Sequence, residues 1–454
     1  MDEKTLKRFI CRDPKVAIVE HNFVVTPIKP GKPEDDEPQS ISRRGLAPSR
    51  PSKPGGGSKP GRPSGPSRPL KPDRPSGPER PLRPGQPSEP RPNPDHSKPR
   101  PRPDQDLKDP MKPPRKPPTS ENKIKRVRLK KQPWNVIMTA MSRPPNDRAR
   151  TKKRSTRLVV DKAGSGVRVY VLDTGVFLES AGFKGRAVNF QGKTVSPYVR
   201  PPVSMKDDDG HGTHVSGIIA DWNRGVAPWA TIVNVKVLCS HAERRAGCYD
   251  QDDDGIIDAL LDVTREHLAY QTAVKAGWKG NWRGSVINMS LGSKSSRFLV
   301  DALRIVKRAG IPIAAASGND GAAVSPRGDW PCSQPESTCV ASCGKSYTWS
   351  KFSNYGPEVK FIAPGNRIRS NSHKDANRRE EMSGTSMAAP AVAGGMAIVI
   401  GHEGINSDPD KVVERLRKNG VPDVIKGVPR SVPNLLFDTG IRNRKRPKNE
   451  PYVK

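Results

Sequence analysis

Three short blocks of this chain carry side chains that could perform acyl-transfer chemistry together. Gly384-Thr385-Ser386-Met387-Ala388-Ala389-Pro390 sets a serine among small residues, at the mouth of an apolar run that ends near Ile400. Such a run predicts a buried helix, with Ser386 at its N-terminus and Pro390 in its first turn, where a missing N–H costs little. Free N–H groups and the positive dipole end there favour a developing anion. Val167 to Leu172 is a β-favouring run leading to Asp173 and then Gly175, which predicts a buried strand with the carboxylate at its C-terminal end. In Asp209-Gly210-His211-Gly212-Thr213-His214, an imidazole stands between glycines before a small-residue helix. A serine hydroxyl is too weak an acid to attack an amide unaided. An imidazole titrating near pH 6.5 can take its proton, and a carboxylate can fix the tautomer and steady the imidazolium. Taken singly, each residue has a plainer reading: a helix-capping serine, a loop histidine, a strand-end aspartate. Their joint occurrence makes the plainer readings poor ones.

The elements that must hold these residues apart and then together follow from periodicity. Thr231–Leu238, Ser285–Gly292 and Ile311–Ala316 read as strands, and Ile256–Val274, Phe298–Ala309 and Asp410–Lys418 as helices. Gly310 sits where a helix end wants glycine. Strands alternating with helices of this length predict an α/β fold with a mostly parallel sheet flanked by helices and right-handed crossovers.

The blocks "VLDTG", "GHGTHVSG" and "GTSMAAP", in that order, resemble those of subtilisin-like serine proteases, and among them the fungal proteinase K-like branch. The resemblance implies a subtilisin-like fold and a serine endopeptidase with Asp173, His211 and Ser386 as its triad. It implies Asn319, in "AAASGN", as the side-chain donor of an oxyanion hole, with Ser317 standing where alanine is more common. Asn288 is the rival amide, read rather as a core residue, and His214 as structural. Substrate is expected to add as a strand along Ser290-Leu291-Gly292, with Ala316, Ser317 and Gly318 on the other wall of a first pocket suited to an apolar side chain. No metal site is expected: after "SNYG", Lys360 stands where the family places a calcium carboxylate. Asp250–Gly255 resembles half of a calcium loop, but Leu261 fails its bidentate position. The run is read as an acidic helix start that would favour a basic residue four positions before the cut. A catalytically silent binding protein of the same fold, anchored by a basic arm, is the alternative reading.

Residues 1–30 resemble the end of an inhibitory propeptide, much shortened. The Pro133-Trp134 step resembles the start of mature fungal subtilases. The catalytic domain is therefore expected over 132–440, with a cut near the dibasic Lys130-Lys131 and a basic tail over 441–454. Between them, 31–131 is rich in Pro, Gly, Ser, Lys and Arg. Proline recurs every third residue from Pro60 to Pro90, which lines one face of a polyproline II helix. This arm is read as a disordered, stiff, solvated spacer, or as an anchor for an anionic surface or a proline-reading domain. It holds no aromatic residue, so nucleic acid is not an expected partner. Of the net charge of +33, most lies upstream of residue 161.

Hydrophobic residues are only 33% of the 454, so a large part of the chain cannot bury a core. No apolar stretch of ~18 residues reads as a membrane span. Met1–Lys7 has no apolar region of a signal peptide, although the resemblance implies an extracellular protein acting on proteins or peptides. Six cysteines leave several pairings open, Cys239 with Cys248 and Cys332 with Cys339 or Cys343 among them, and disulfides are expected over free thiols.

Overall fold

The computed structural model describes residues 26–27, 126–140, 157–191, 204–239, 253–405 and 408–441. The chain divides into two compact units, 1–37 with 111–454, and 38–110. The second unit, and with it most of the Pro-rich stretch, lies outside the described residues, as do the tail beyond Ile441 and most of residues 1–30.

In chain order the first unit carries β1 (Thr26–Pro27), β2 (Arg126–Leu129), α1 (Trp134–Met138), β3 (Arg157–Val160), β4 (Val167–Asp173) and β5 (Ala187–Asn189). Then come α2 (His211–Ala220), β6 (Thr231–Lys236), α3 (Asp253–Lys275), β7 (Gly284–Met289), β8 (Leu291–Gly292), α4 (Arg297–Ala309) and β9 (Ile313–Ala316). The rest are β10 (Thr338–Cys343), β11 (Val359–Pro364), β12 (Ile368–Asn371), β13 (Arg379–Met382), α5 (Thr385–Glu403), α6 (Pro409–Asn419), β14 (Val421–Pro422) and β15 (Leu435–Leu436).

A nine-stranded sheet runs in the order β14-β15-β11-β10-β9-β7-β4-β6-β5. All its pairings are parallel except β14 with β15. Strand β4, flanked by β7 and β6, shows why such a strand reads as a continuous apolar run. Val167, Val169 and Val171 enter one core layer with α2 and α5, while Tyr170 and Leu172 enter the other with α3 and α4. Both faces are covered, so both sets of alternate residues must be apolar.

The helices end where local chemistry says they should. Ser296 caps α4 by accepting from the Leu299 N–H, and Gly310 closes it with φ +97°. Helix α5 is apolar all round and buried. It is the one described helix whose length and composition would let it cross a membrane, with a mean hydropathy of 1.3, but 94% of that window lies inside the fold. Pro390 falls at the sixth residue of α5, in the second turn rather than the first as expected. Its missing N–H therefore leaves the Ser386 carbonyl, four residues back, without an intrahelical donor. The Ser290 hydroxyl supplies one at 2.9 Å.

Strand β2 lies just upstream of residue 132, where the catalytic domain is expected to start. Strand β2 pairs with β3, and Val127 and Leu129 pack against the core. Lys130 and Lys131 follow that strand, and the next residue, Gln132, is buried and donates to the Asn223 carbonyl. The dibasic pair is exposed and lies between a paired strand and the buried Gln132. Cys332 pairs with Cys339, their Cα atoms 4.6 Å apart. Cys343 is buried with its Sγ 4.0 Å from Met138 Sδ, and Cys239 is disulfide-bonded.

Candidate active site

Asp173 ends β4 with its side chain fully buried. Its Oδ1 accepts from the Thr174 N–H at 2.8 Å and meets His211 Nδ1 at 2.7 Å. His211 opens α2 directly after Gly210, whose φ of +105° suits glycine. With Nδ1–H donated to the carboxylate, Nε2 keeps the lone pair. Nε2 is buried and has no hydrogen-bond partner among the described residues. Burial alone would lower the His211 pKa; the charge and hydrogen bond of Asp173, with Asp209 and Asp207 behind it, raise it above the usual histidine value.

Ser386 is the second residue of α5, where backbone N–H groups have no partner in the preceding turn. Its Oγ donates to the Ser290 carbonyl at 3.3 Å, not to His211. The amide of Asn319 is oriented through its other end: Oδ1 accepts from the Thr385 N–H at 2.8 Å and the Thr385 hydroxyl at 3.0 Å. Nδ2 therefore lies on the opposite side, close enough to Gly384 that a Cβ there would approach it to 3.0 Å.

The residues expected to hold substrate leave adjacent strands, β7 and β9. Strand β8, containing Leu291 and Gly292, pairs antiparallel with β1 in the register Thr26↔Gly292 and Pro27↔Leu291. Ser290 is buried between its two links to Ser386. Ala316 ends β9, Ser317 donates to the Asn354 carbonyl at 3.2 Å, and Gly318 donates its N–H to the Thr385 hydroxyl at 3.1 Å. Gly318 must be glycine on two counts: its φ is +104°, and a Cβ would meet Asn354 Nδ2 at 2.2 Å. Asn288, the rival amide, points along its strand and donates to Ser290 Oγ at 3.1 Å. His214 is buried, with Nε2 3.0 Å from the Ile368 carbonyl and 3.1 Å from that of Glu380. It ties α2 to the β12–β13 hairpin, and burial lowers its pKa to about 4.

Lys360 lies on β11, a cation where the resemblance places a calcium carboxylate, so the residues there do not fit that ion. Of the acidic run, 250–252 lies outside the described residues; Asp253 and Asp254 open α3. Sequence reasoning passed over Thr174, Asp207 and Lys236, which surround the Asp173–His211 pair. The signal available was the acidic run Asp207-Asp208-Asp209 directly before "GHGTH".

A parallel sheet with an Asp–His pair at one strand end and a serine at a helix N-terminus defines the class of serine peptidases built on an α/β scaffold. The family model for subtilases matches residues 164–419, and the chain belongs to that family. It is similar to subtilisin-like protease 3 of Pseudogymnoascus destructans, at 36% identity over 61% of this chain and 63% of that protein. It is similar to proteinase T of Parengyodontium album, at 30% identity over 68% of this chain and 92% of that protein. Among solved structures it resembles a cold adapted subtilisin-like serine proteinase, with a TM-score of 0.56 and 28% identity over 68% of this chain and 98% of that one. The chain thus spans less than two thirds of the length of the first of these relatives.

Proposed function

We propose that this chain is a serine endopeptidase that cuts peptide bonds through an acyl-enzyme. The observation that carries the reading is the 2.7 Å contact of Asp173 with His211 Nδ1, which leaves Nε2 buried and unengaged. Ser386 Oγ would leave the Ser290 carbonyl, pass its proton to Nε2 and attack the substrate carbonyl. Asp173 would steady the imidazolium. The Ser386 N–H and the Asn319 amide would receive the oxyanion. The imidazolium would then give its proton to the leaving amine, and water would repeat the sequence on the acyl-enzyme. The Ser290 hydroxyl on the Ser386 carbonyl holds the nucleophile's backbone where Pro390 has removed the helical bond.

Substrate would pair with Leu291 and Gly292, as β1 does within this chain. Backbone pairing tolerates many sequences, and the small residues Ala316, Ser317 and Gly318 leave space for a bulky apolar side chain before the cut. The buried Cys332–Cys339 disulfide supports work in an oxidising, extracellular setting.

The Ser386–Ser290 hydrogen bond favours one second reading, a silent binding protein whose serine never engages its base. A serine-reactive phosphonate separates the two. An endopeptidase is labelled at Ser386, loses the label in Ser386→Ala, and hydrolyses peptides with a large apolar residue before the cut. No label on the folded wild-type chain would establish the silent reading.

A further inference from the structure

Two turns meet beneath the Asp173–His211 pair, and they meet very closely. A Cβ on Gly175, whose φ is +116°, would lie 2.8 Å from the Lys206 carbonyl oxygen and 2.9 Å from the Asp207 backbone. A Cβ on Gly212 would lie 2.1 Å from the Gly175 carbonyl oxygen. Glycine at both positions lets the turn after β4 touch the turn before α2.

Side chains then fasten what the glycines allow. Asp207 is 6% exposed and its carboxylate is ringed by donors. Oδ1 accepts from the Thr174 hydroxyl at 2.9 Å, the Gly210 N–H at 2.8 Å and the Asp209 N–H at 3.2 Å. Oδ2 accepts from the Thr213 N–H at 2.8 Å and the Thr213 hydroxyl at 2.5 Å. Only an ionised carboxylate accepts from all of these at once. Thr174 closes the loop, because its hydroxyl also accepts from the Gly212 N–H at 3.0 Å.

From the other side comes Lys236, 1% exposed, at the end of β6 opposite Asp173 in the strand register. Its ammonium donates to the Thr174 carbonyl at 2.7 Å and to the Lys206 carbonyl at 3.0 Å, one on each turn, and lies 3.4 Å from Asp208 Oδ1.

We propose that Asp207 and Lys236, acting through Thr174, are positioning residues that clamp the Asp173 turn to the His211 turn and set the charge felt by the imidazole. The proposal rests on the triad reading above and adds the parts that hold it. The pair they serve spans two separate loops, and a catalytic geometry tolerates only about half an ångström of drift. A buried charge is retained only where it is paired and hydrogen-bonded, and here anion and cation each bridge the two turns. Burial raises the Asp207 pKa, and hydrogen bonds from Thr213 and Gly210 work against that rise. The titratable groups around His211 are Asp173 on β4, Asp207, Asp208 and Asp209 on its own turn, His214 on α2, Lys236 on β6, and His373 from the β12–β13 loop, whose ring lies against Gly210. Removing one anion from this set lowers the His211 pKa, and removing the cation raises it.

The test uses the full chain with Asp207→Asn, Lys236→Met and Thr174→Val, reading kcat, KM, the pH profile of kcat/KM and the rate of phosphonate labelling. Asp207→Asn is expected to lower kcat on the order of a hundredfold, with KM within about twofold and the acid limb moved to lower pH. Lys236→Met should lower kcat and move the acid limb to higher pH. Thr174→Val keeps the charges and nearly the shape, so it should lower kcat about tenfold with the limb unmoved. Plain loosening of the fold would shift the two charge variants alike. Limbs moving in the same direction, or kcat within twofold of wild type in the folded variants, would overturn the clamp. Should a charge variant fail to melt cooperatively, Thr174→Val decides: unchanged kcat sinks the proposal. A folded wild type inert to the phosphonate would overturn the triad reading and the clamp with it; a reactive wild type with indifferent variants overturns the clamp alone.

Discussion

Strand β4 carries Arg168 near one end and Asp173 at the other, and the two ends handle charge in opposite ways. At the first, the guanidinium meets Glu266 at 2.8 Å, and the Tyr170 hydroxyl donates to the same carboxylate at 2.9 Å. Arg168 also lies 5.4 Å from the Tyr270 ring centre, and Tyr270 stacks on Trp282 with the planes 10° apart. One cation faces one anion, and the rest is aromatic surface. At the second end four aspartates, 173, 207, 208 and 209, gather around one imidazole and one buried lysine. A site that only has to hold pairs its charges. A site built to take a proton leaves an excess of one sign beside the base, and that excess raises its pKa.

The sharpest way to break this contrast is at the nucleophile. Ser386→Ala should reduce kcat about 10⁶-fold, the size known for subtilisin, and leave the melting temperature within a degree or two. Residual hydrolysis well above that floor would mean that Ser386 is not the attacking group. Asp173→Asn should cost about 10⁴ in kcat, because the imidazole loses both its tautomer and its stabilising charge. In the parent chain the acid limb should lie above pH 6.5, since activity needs neutral His211 and its pKa is raised; activity is then lost as the pH falls through that value. Asn319→Ala should slow turnover about 10²–10³-fold, again the subtilisin magnitude, with little change in KM. Rates equal to wild type would remove Asn319 from the oxyanion hole.

The two ends also share a feature, a buried neutral histidine each. His214 on α2 and His267 on α3 both have pKa values lowered to about 4, chiefly by burial. The unfolded chain binds protons on them below pH 6.5 and the folded chain does not until about pH 4. Stability should therefore fall as pH drops across that window and recover as it rises. Melting curves that stay level from pH 7 to pH 4 would contradict it, and His267→Gln should flatten the slope. The smallest effect belongs to the paired end. Glu266→Gln should lower the melting temperature by about 2–4 °C, roughly 1 kcal/mol, and leave kcat unchanged. A change in kcat would show that the two ends of β4 are coupled.

Much of this was readable in advance, element by element. The β4 run, the Gly310 helix end and the buried helix after Ser386 all rest on local rules of periodicity, backbone freedom and capping. Their bounds shifted by a few residues, most tellingly at Pro390. There the expected first turn proved to be the second, and the freed carbonyl found its donor in Ser290, ninety-six residues away. The β1–β8 pairing was not foreseen from Thr26 and Pro27, because a two-residue strand has no periodicity to detect. Asp207 was passed over because an acidic run in a loop is usually a solvated one.

Residue types and their order along the chain therefore determined the class of chemistry, because a serine, a histidine and an aspartate in such local settings have few other uses. Tertiary structure alone decided which neighbours tune them: that a carboxylate four residues before His211 is buried rather than solvated, that a lysine from the adjacent strand bridges two turns, and that the serine rests on a carbonyl. Local sequence sets backbone preference within a few residues. Burial, and with it the strength of every charge, depends on what the rest of the chain brings alongside.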